Sequence, residues 1–180
     1  GATGLVGARI CRELILAGHQ VKGLRRSTSS DEILKRTFED MPARLDAIRW
    51  VEGDITEVIS VYEALEGVDE VYHAAGLVSF DPSDRDRLFR INTVGTTNLV
   101  NMSLERGVKA FCHISSVAAL GRSVESPVVD EQSEWTESPY NTTYAKSKYA
   151  AEQEVWRGIE EGLSAVILNP SIILGPGDWW

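Results

Sequence analysis

Five short apolar segments, residues 21–24, 47–51, 70–75, 110–115 and 164–169, alternate with longer stretches, and this alternation constrains the fold more than any other feature. Segments of this length suit strands buried in a parallel sheet. Parallel neighbours need crossover connections, which are right-handed and usually helical. The expected class is therefore α/β, a doubly wound parallel sheet with helices on both faces. Leu5, Ile10, Leu14, Ile15 and Ala17 recur at roughly helical spacing, so a first helix is predicted over residues 4–17, stopped by Gly18. Ser30 is placed to cap a second helix running to about Arg36. A short helix is expected over residues 57–65 and long helical stretches over 84–106 and 140–161.

The run Gly1-Ala2-Thr3-Gly4-Leu5-Val6-Gly7 opens the first helix. Glycines at that spacing let backbone amides and a helix N-terminus approach a pyrophosphate, the Rossmann arrangement, although small residues there also serve plain strand–helix packing. Such a motif normally comes after a strand, and none precedes Gly1. A doubly wound sheet usually has six or seven strands, against the five counted, so the chain is expected to be truncated before its first, central strand and again after its nucleotide-binding portion. Residues 1–169 would form a dinucleotide-binding domain. Residues 170–180, with Pro170, Ser171 and the turn-rich Gly175-Pro176-Gly177-Asp178, would begin a substrate-binding portion.

Composition narrows the partners. A chain of 180 residues, 43% hydrophobic and 25% charged, can bury one ordinary core. Its net charge of −9 opposes binding to nucleic acid. No apolar run reaches the length of a membrane span, and Cys11 and Cys112 make no disulfide framework, which points to a reducing, cytoplasmic setting. His73 and His113 sit in predicted strands without the spacing of a metal site; they are expected to be satisfied core histidines, with no metal bound.

The chemistry-bearing residues are Ser116, Tyr144 and Lys148. Tyr144 and Lys148 stand four apart, so on a helix they share a face. A phenol titrates near pH 10, and a nearby ammonium brings its two forms within reach of neutrality, as proton transfer requires. Ser116 lies just past an apolar strand, where ligands of open α/β sheets collect, and its hydroxyl could hold a reacting oxygen. Ser115 is the rival for that role. After the strand at residues 21–24, where an acidic residue would bond a ribose 2′-hydroxyl, the chain has Arg25 and Arg26; two guanidiniums suit a 2′-phosphate and favour NADP over NAD, unless they form only a solvated basic turn.

Taken in order, these pieces resemble an extended short-chain dehydrogenase/reductase of the NAD-dependent epimerase/dehydratase superfamily, dihydroflavonol-reductase-like, over nearly the whole chain. The resemblance rests on the glycine motif, Asp54-Ile55, His73-Ala74-Ala75-Gly76, Asn92 with Gly95-Thr96, Ser115-Ser116, Tyr144 with Lys148, and Pro170-Ser171 with residues 175–178. It implies that Gly1, Thr3, Gly4, Leu5, Val6 and Gly7 cradle the pyrophosphate and that Asp54 and Ile55 flank the adenine. Ala74, Ala75, Gly76, Pro170 and Ser171 would line the remaining cofactor site, Ser171 lying near the nicotinamide carboxamide. Lys148 would bind the nicotinamide ribose, and Asn92 would brace the site. In this family the active hydroxyl stands five positions before a glycine, and Gly121 selects Ser116. A homodimer through the long helices is also implied.

Dehydratases of the family carry an Asp-Glu pair after the active hydroxyl, where this chain has Val117 and Ala118, so elimination lacks its acid and base. The favoured expectation is an NADPH-dependent ketone or aldehyde reductase. The alternatives are a nucleotide-sugar epimerase retaining NAD and, from another class, a non-catalytic NADP-binding redox sensor. Phe80, Trp135, Trp179 and Trp180 could line an aromatic pocket or simply anchor packing.

Overall fold

The computed structural model describes residues 1–121, 128–133 and 135–175; Pro176, Gly177, Asp178, Trp179 and Trp180 lie outside them. The five strands fall where the apolar segments place them: β1 Val21–Arg25, β2 Ile48–Glu52, β3 Glu70–His73, β4 Ala110–Ile114 and β5 Ala165–Leu168. Every pairing is parallel, and the strands form two pieces, β1–β2 and β3–β4–β5. These two pieces correspond to the 3-2 and 4-5-6 portions of the doubly wound order 3-2-1-4-5-6. Gly1 packs at the end of β3, where a β-carbon on it would stand 2.2 Å from the Ala74 carbonyl carbon.

The helices are α1 Leu5–Leu16, α2 Glu32–Thr37, α3 Val58–Ala64, α4 Arg85–Leu88, α5 Gly95–Arg106 and α6 Thr143–Glu160. Between α4 and α5, residues Phe89–Val94 form a π-helical turn, so the expected continuous helix over 84–106 is widened in its middle and buries Asn92 there. Three 3₁₀ turns, Pro42–Ala47, Pro82–Asp84 and Val117–Leu120, carry no signal in apolar periodicity. Asp31, not Ser30, occupies the cap position of α2; the Ser30 hydroxyl accepts from Glu32 N–H at 3.3 Å just ahead of it.

Among the described residues the buried apolar side chains form two clusters. Ala8, Cys11, Ile15, Val21, Leu34, Phe38 and Ile48 join α1 and α2 to the two-stranded piece. Val61, Leu65, Val71, Leu99, Val100, Phe111 and Val155 join α3, α5 and α6 to the three-stranded piece. Register explains the second cluster: Val71 pairs Phe111 and Phe111 pairs Ala165, so alternate residues of β3, β4 and β5 share one covered face. Tyr72, Val166 and Leu168 lie on the opposite face and are exposed. Among the described residues that face is open, and β3, β4 and β5 alternate between covered and exposed positions. No described helix is long and apolar enough to cross a membrane.

Candidate active site

The glycine motif is a tight turn running into a helix. Gly4 N–H donates to the Gly1 carbonyl at 3.0 Å, and Gly4 is the extended residue ahead of α1, with no side chain to cap the first-turn amides. A β-carbon on Gly7 would stand 1.9 Å from the Gly1 oxygen, so Gly7 is demanded by the fold itself. Gly4 differs: the nearest atom to its β-carbon position is the Gly1 oxygen at 3.5 Å, and the rest of that space belongs to an open groove. Only a ligand brought close to the backbone makes a glycine necessary there.

The groove has a volume of about 640 Å³. It runs from Gly1, Thr3 and Gly4 along Arg25 and Arg26 to Asp54 and Ile55 and back to Ala74, Ala75 and Gly76. Leu5, Val6 and Gly7 do not line it. Leu5 instead meets Gly175, whose β-carbon position lies 2.7 Å from a Leu5 methyl. Asp54 makes an Asx turn, its carboxylate accepting from Thr56 N–H at 2.8 Å, so it is a turn residue and a wall of the groove at once.

Charge concentrates at one end. Of the groove's four arginines, Arg36 is committed to Glu32 at 2.7 Å and Arg87 to Asp84 at 2.8 Å. The Arg25 guanidinium lies over the Trp50 ring, 4.6 Å from its centroid, while Arg26 is exposed. Thr28, Ser29 and Ser30 line the same end, and the Ser29 hydroxyl accepts from Arg26 N–H at 3.1 Å. Two cations beside a hydroxyl-bearing loop could receive an anion there.

Ser116, Tyr144 and Lys148 do not line this groove: Ser116 follows β4, and Tyr144 and Lys148 stand on α6. Ser116 opens the Val117–Leu120 turn, its hydroxyl accepting from Ala118 N–H at 3.2 Å, and that turn packs on α6. Ser115 is buried at 6% exposure, whereas Ser116 is partly exposed, so Ser116 is the hydroxyl open to a ligand. Lys148, 4% exposed, donates to the Ile114 carbonyl at 3.1 Å, which fixes its ammonium two residues before Ser116. Burial lowers its pKa from 10.5 to about 8, against the pull of the Glu152 carboxylate. Tyr144, one turn earlier on α6, meets the edge of Phe80 with ring centroids 6.0 Å apart.

Asn92 joins the two regions. Its side-chain oxygen accepts from Leu77 N–H at 2.7 Å, and its amide nitrogen donates to the Leu77 carbonyl at 3.0 Å and the Ser147 hydroxyl at 2.9 Å. Those bonds occupy the side chain with protein partners, so Asn92 braces the loop after β3 against α6 rather than reaching into the groove. Pro170 also acts through its backbone, its carbonyl accepting from Val117 N–H at 3.1 Å; Ser171 is exposed beyond it.

The chain matches the family described as the NAD dependent epimerase/dehydratase family over residues 1–178. The chain belongs to that family. It is 35% identical to sterol demethylase protein B of Methylococcus capsulatus, covering 99% of this chain and 52% of that protein. It is 33% identical to a Synechocystis protein whose name provisionally makes it a dihydroflavonol 4-reductase, covering 99% of this chain and 49% of that one. The chain thus spans about half the length of the curated relatives it matches. Among solved structures it resembles the Bordetella bronchiseptica enzyme WbmH in complex with NAD+, with 27% identity, a TM-score of 0.78 and coverage of 98% of this chain and 55% of that one.

For an epimerase/dehydratase-family chain, the open space at Gly4 and the cationic corner fit a dinucleotide with its pyrophosphate at the start of α1. Several residues of the site were not legible in sequence. Thr28, Ser29 and Ser30 could have been singled out as hydroxyls placed after two arginines. Glu152 continues the four-residue spacing from Tyr144 and Lys148, and its partner Asn169 gives no local signal. His73 is satisfied by the Thr96 hydroxyl at 2.8 Å, but His113 is not: it is fully buried, and neither ring nitrogen has a hydrogen-bond partner. Burial, then the Lys148 charge, hold the His113 pKa down at about 3, so the ring is neutral.

Proposed function

We propose that this chain is the dinucleotide-binding part of an NADPH-dependent reductase acting on a ketone or aldehyde. The observation that carries the reading is the corner formed by Arg25 and Arg26 with Thr28, Ser29 and Ser30, whose charge and hydroxyls suit a 2′-phosphate better than a free ribose hydroxyl. Gly4 and the amides opening α1 would receive the pyrophosphate, Asp54 and Ile55 would flank the adenine, and Ala74 to Gly76 would pass beneath the second half of the dinucleotide.

When bound, the reduced nicotinamide supplies a hydride to the carbonyl carbon. Ser116 holds the carbonyl oxygen by a hydrogen bond, and Tyr144 donates its phenolic proton to that oxygen as negative charge develops there, giving the alcohol. The Lys148 ammonium, anchored on the Ile114 carbonyl, would stabilise the charge left on the phenol oxygen and donate hydrogen bonds to the nicotinamide ribose hydroxyls. Val117 and Ala118 come directly after Ser116, so no carboxylate stands there to remove water from an oxidised sugar.

Replacing Tyr144 by Phe in the full-length protein tests the assignment. Turnover of carbonyl substrates is expected to be lost while NADPH binds as before; retained turnover refutes the proton-donor role. NAD that copurifies and does not exchange would favour a nucleotide-sugar epimerase instead.

A further inference from the structure

Behind the three residues assigned to chemistry lies a buried carboxylate that the mechanism does not use. Glu152 stands one turn beyond Lys148 on α6, so Tyr144, Lys148 and Glu152 succeed one another along one face of the helix. Glu152 is 6% exposed, an uncommon place for a carboxylate. Its oxygen accepts from the Asn169 amide at 2.5 Å, and the same amide nitrogen donates to the Ser116 carbonyl at 3.1 Å. The Ser115 hydroxyl also lies close enough to favour the carboxylate, though short of normal hydrogen-bond geometry. One carboxylate thus bonds the side chain after β5 that in turn holds the Ser116 carbonyl, and it lies one helical turn from the lysine that serves Tyr144.

We propose that Glu152 is a positioning residue of this site: its carboxylate keeps the Lys148 ammonium charged and, through Asn169, fixes the Ser116 turn against α6. The inference rests on the reductase reading in one respect, that Lys148 acts as a cation.

Among the described residues, the surroundings leave Glu152 as the counter-charge. From β3 and β4 the groups facing Lys148 are His73 and His113, which burial keeps neutral. The Val117–Leu120 turn and β5 carry no charged residue. On the other elements packed against α6, Arg85, Asp86, Arg87, Arg90 and Glu105 are exposed, and Arg106 lies over the Tyr62 ring. Along α6 itself, Lys146 pairs with Glu137, Arg157 with Glu154 and Glu161, and Glu160 is exposed. Burial raises the pKa of Glu152, with Asn169 and Lys148 opposing it; burial lowers that of Lys148, with Glu152 opposing it. Each therefore sustains the charge of the other, and the coupling must be reciprocal.

The test is an NMR titration of full-length, dinucleotide-free protein carrying ¹³C-labelled lysine, with the Lys148 signal assigned by its loss in Lys148→Met. In Glu152→Gln the side chain still offers an oxygen to Asn169 but no charge, so the Lys148 midpoint is expected to fall below that of the unmutated protein. Should Glu152→Gln fail to fold, the reciprocal measurement serves: in Lys148→Met, the ¹³C-labelled Glu152 carboxyl should titrate at higher pH than in the unmutated protein. A midpoint unchanged by either replacement overturns the inference, because a purely structural glutamate would leave it unmoved. With NADPH and a carbonyl substrate, Glu152→Gln should also shift the alkaline limb of the turnover profile to lower pH. A lowered Lys148 midpoint in a protein that reduces no carbonyl would sink the reductase reading and leave the Glu152–Lys148 coupling standing; turnover dependent on Tyr144 with an unmoved midpoint would do the reverse.

Discussion

Lys148→Met should make the protein more stable at neutral pH while abolishing catalysis. The fall of the lysine pKa from 10.5 to about 8 means that the folded state would rather hold this side chain neutral. At 1.36 kcal/mol per pKa unit, carrying the charge costs the fold roughly 3 kcal/mol below pH 8, with the attraction of Glu152 already counted. Methionine fills a similar volume without the charge but forfeits the bond to the Ile114 carbonyl, worth about 1 to 2 kcal/mol. The net gain at pH 7 is therefore about 2 kcal/mol, or a Tm rise of about 4 °C for a protein of this size class. Between pH 8 and 10.5 the unfolded chain binds a proton at Lys148 that the folded one releases, so the stability of the unmutated protein rises through that window relative to the variant. The advantage of Lys148→Met should shrink as pH climbs past 8 and reverse between about pH 9 and 10, leaving only the lost hydrogen bond by pH 10.5. Paired urea melts of the full-length proteins at intervals from pH 7 to 10 give the comparison. A variant less stable than the parent at pH 7, or a difference that does not change with pH, would refute the reasoning.

Other replacements separate fold from ligand. Gly7→Ala places a β-carbon against the Gly1 oxygen and should cost about 2 to 3 kcal/mol in a urea melt, whereas Gly4→Ala should melt like the parent yet bind dinucleotide at least tenfold more weakly by fluorescence titration. Asn92→Ala leaves Leu77 and Ser147 without their buried partner and should lose about 2 to 4 kcal/mol of stability along with turnover, since the loop after β3 is no longer held to α6. Ser116→Ala should lower turnover by two orders of magnitude or more, and Ser115→Ala far less, because only the former side chain is open to a ligand.

The order of elements was legible because strand and helix periods are local properties of the chain. β1, β2 and α1 begin and end within one or two residues of the segments that predict them. What stayed hidden depends on tertiary geometry. The Ser30 cap moved to Asp31, the π-helical turn around Asn92 interrupts an unbroken helical pattern, and the 3₁₀ turns have no period to read. Which strands pair, β1 with β2 and β3–β4–β5 together, is information no segment carries alone. In the site, glycines, arginines and the Tyr–Lys spacing announce themselves. Glu152 and Asn169 do not, since their bond joins a helix and a strand end 17 positions apart and no local pattern pairs them. Asn92 was legible as a polar residue in a helix, but only the structure shows its hydrogen bonds spent on Leu77 and Ser147 rather than on the groove.

The cationic corner bears most directly on the proposed function, and a single titration addresses it. Full-length protein freed of any bound dinucleotide would be titrated with NADPH and NADH by fluorescence, alongside the Arg25→Ala/Arg26→Ala double variant. NADPH bound at least tenfold tighter than NADH by the parent, with the preference erased in the variant and NADH affinity intact, is the predicted result. Equal affinities in the parent, or a preference for NADPH that survives removal of both guanidiniums, would contradict the reading of Arg25 and Arg26 as 2′-phosphate ligands and remove the main support for a reductase.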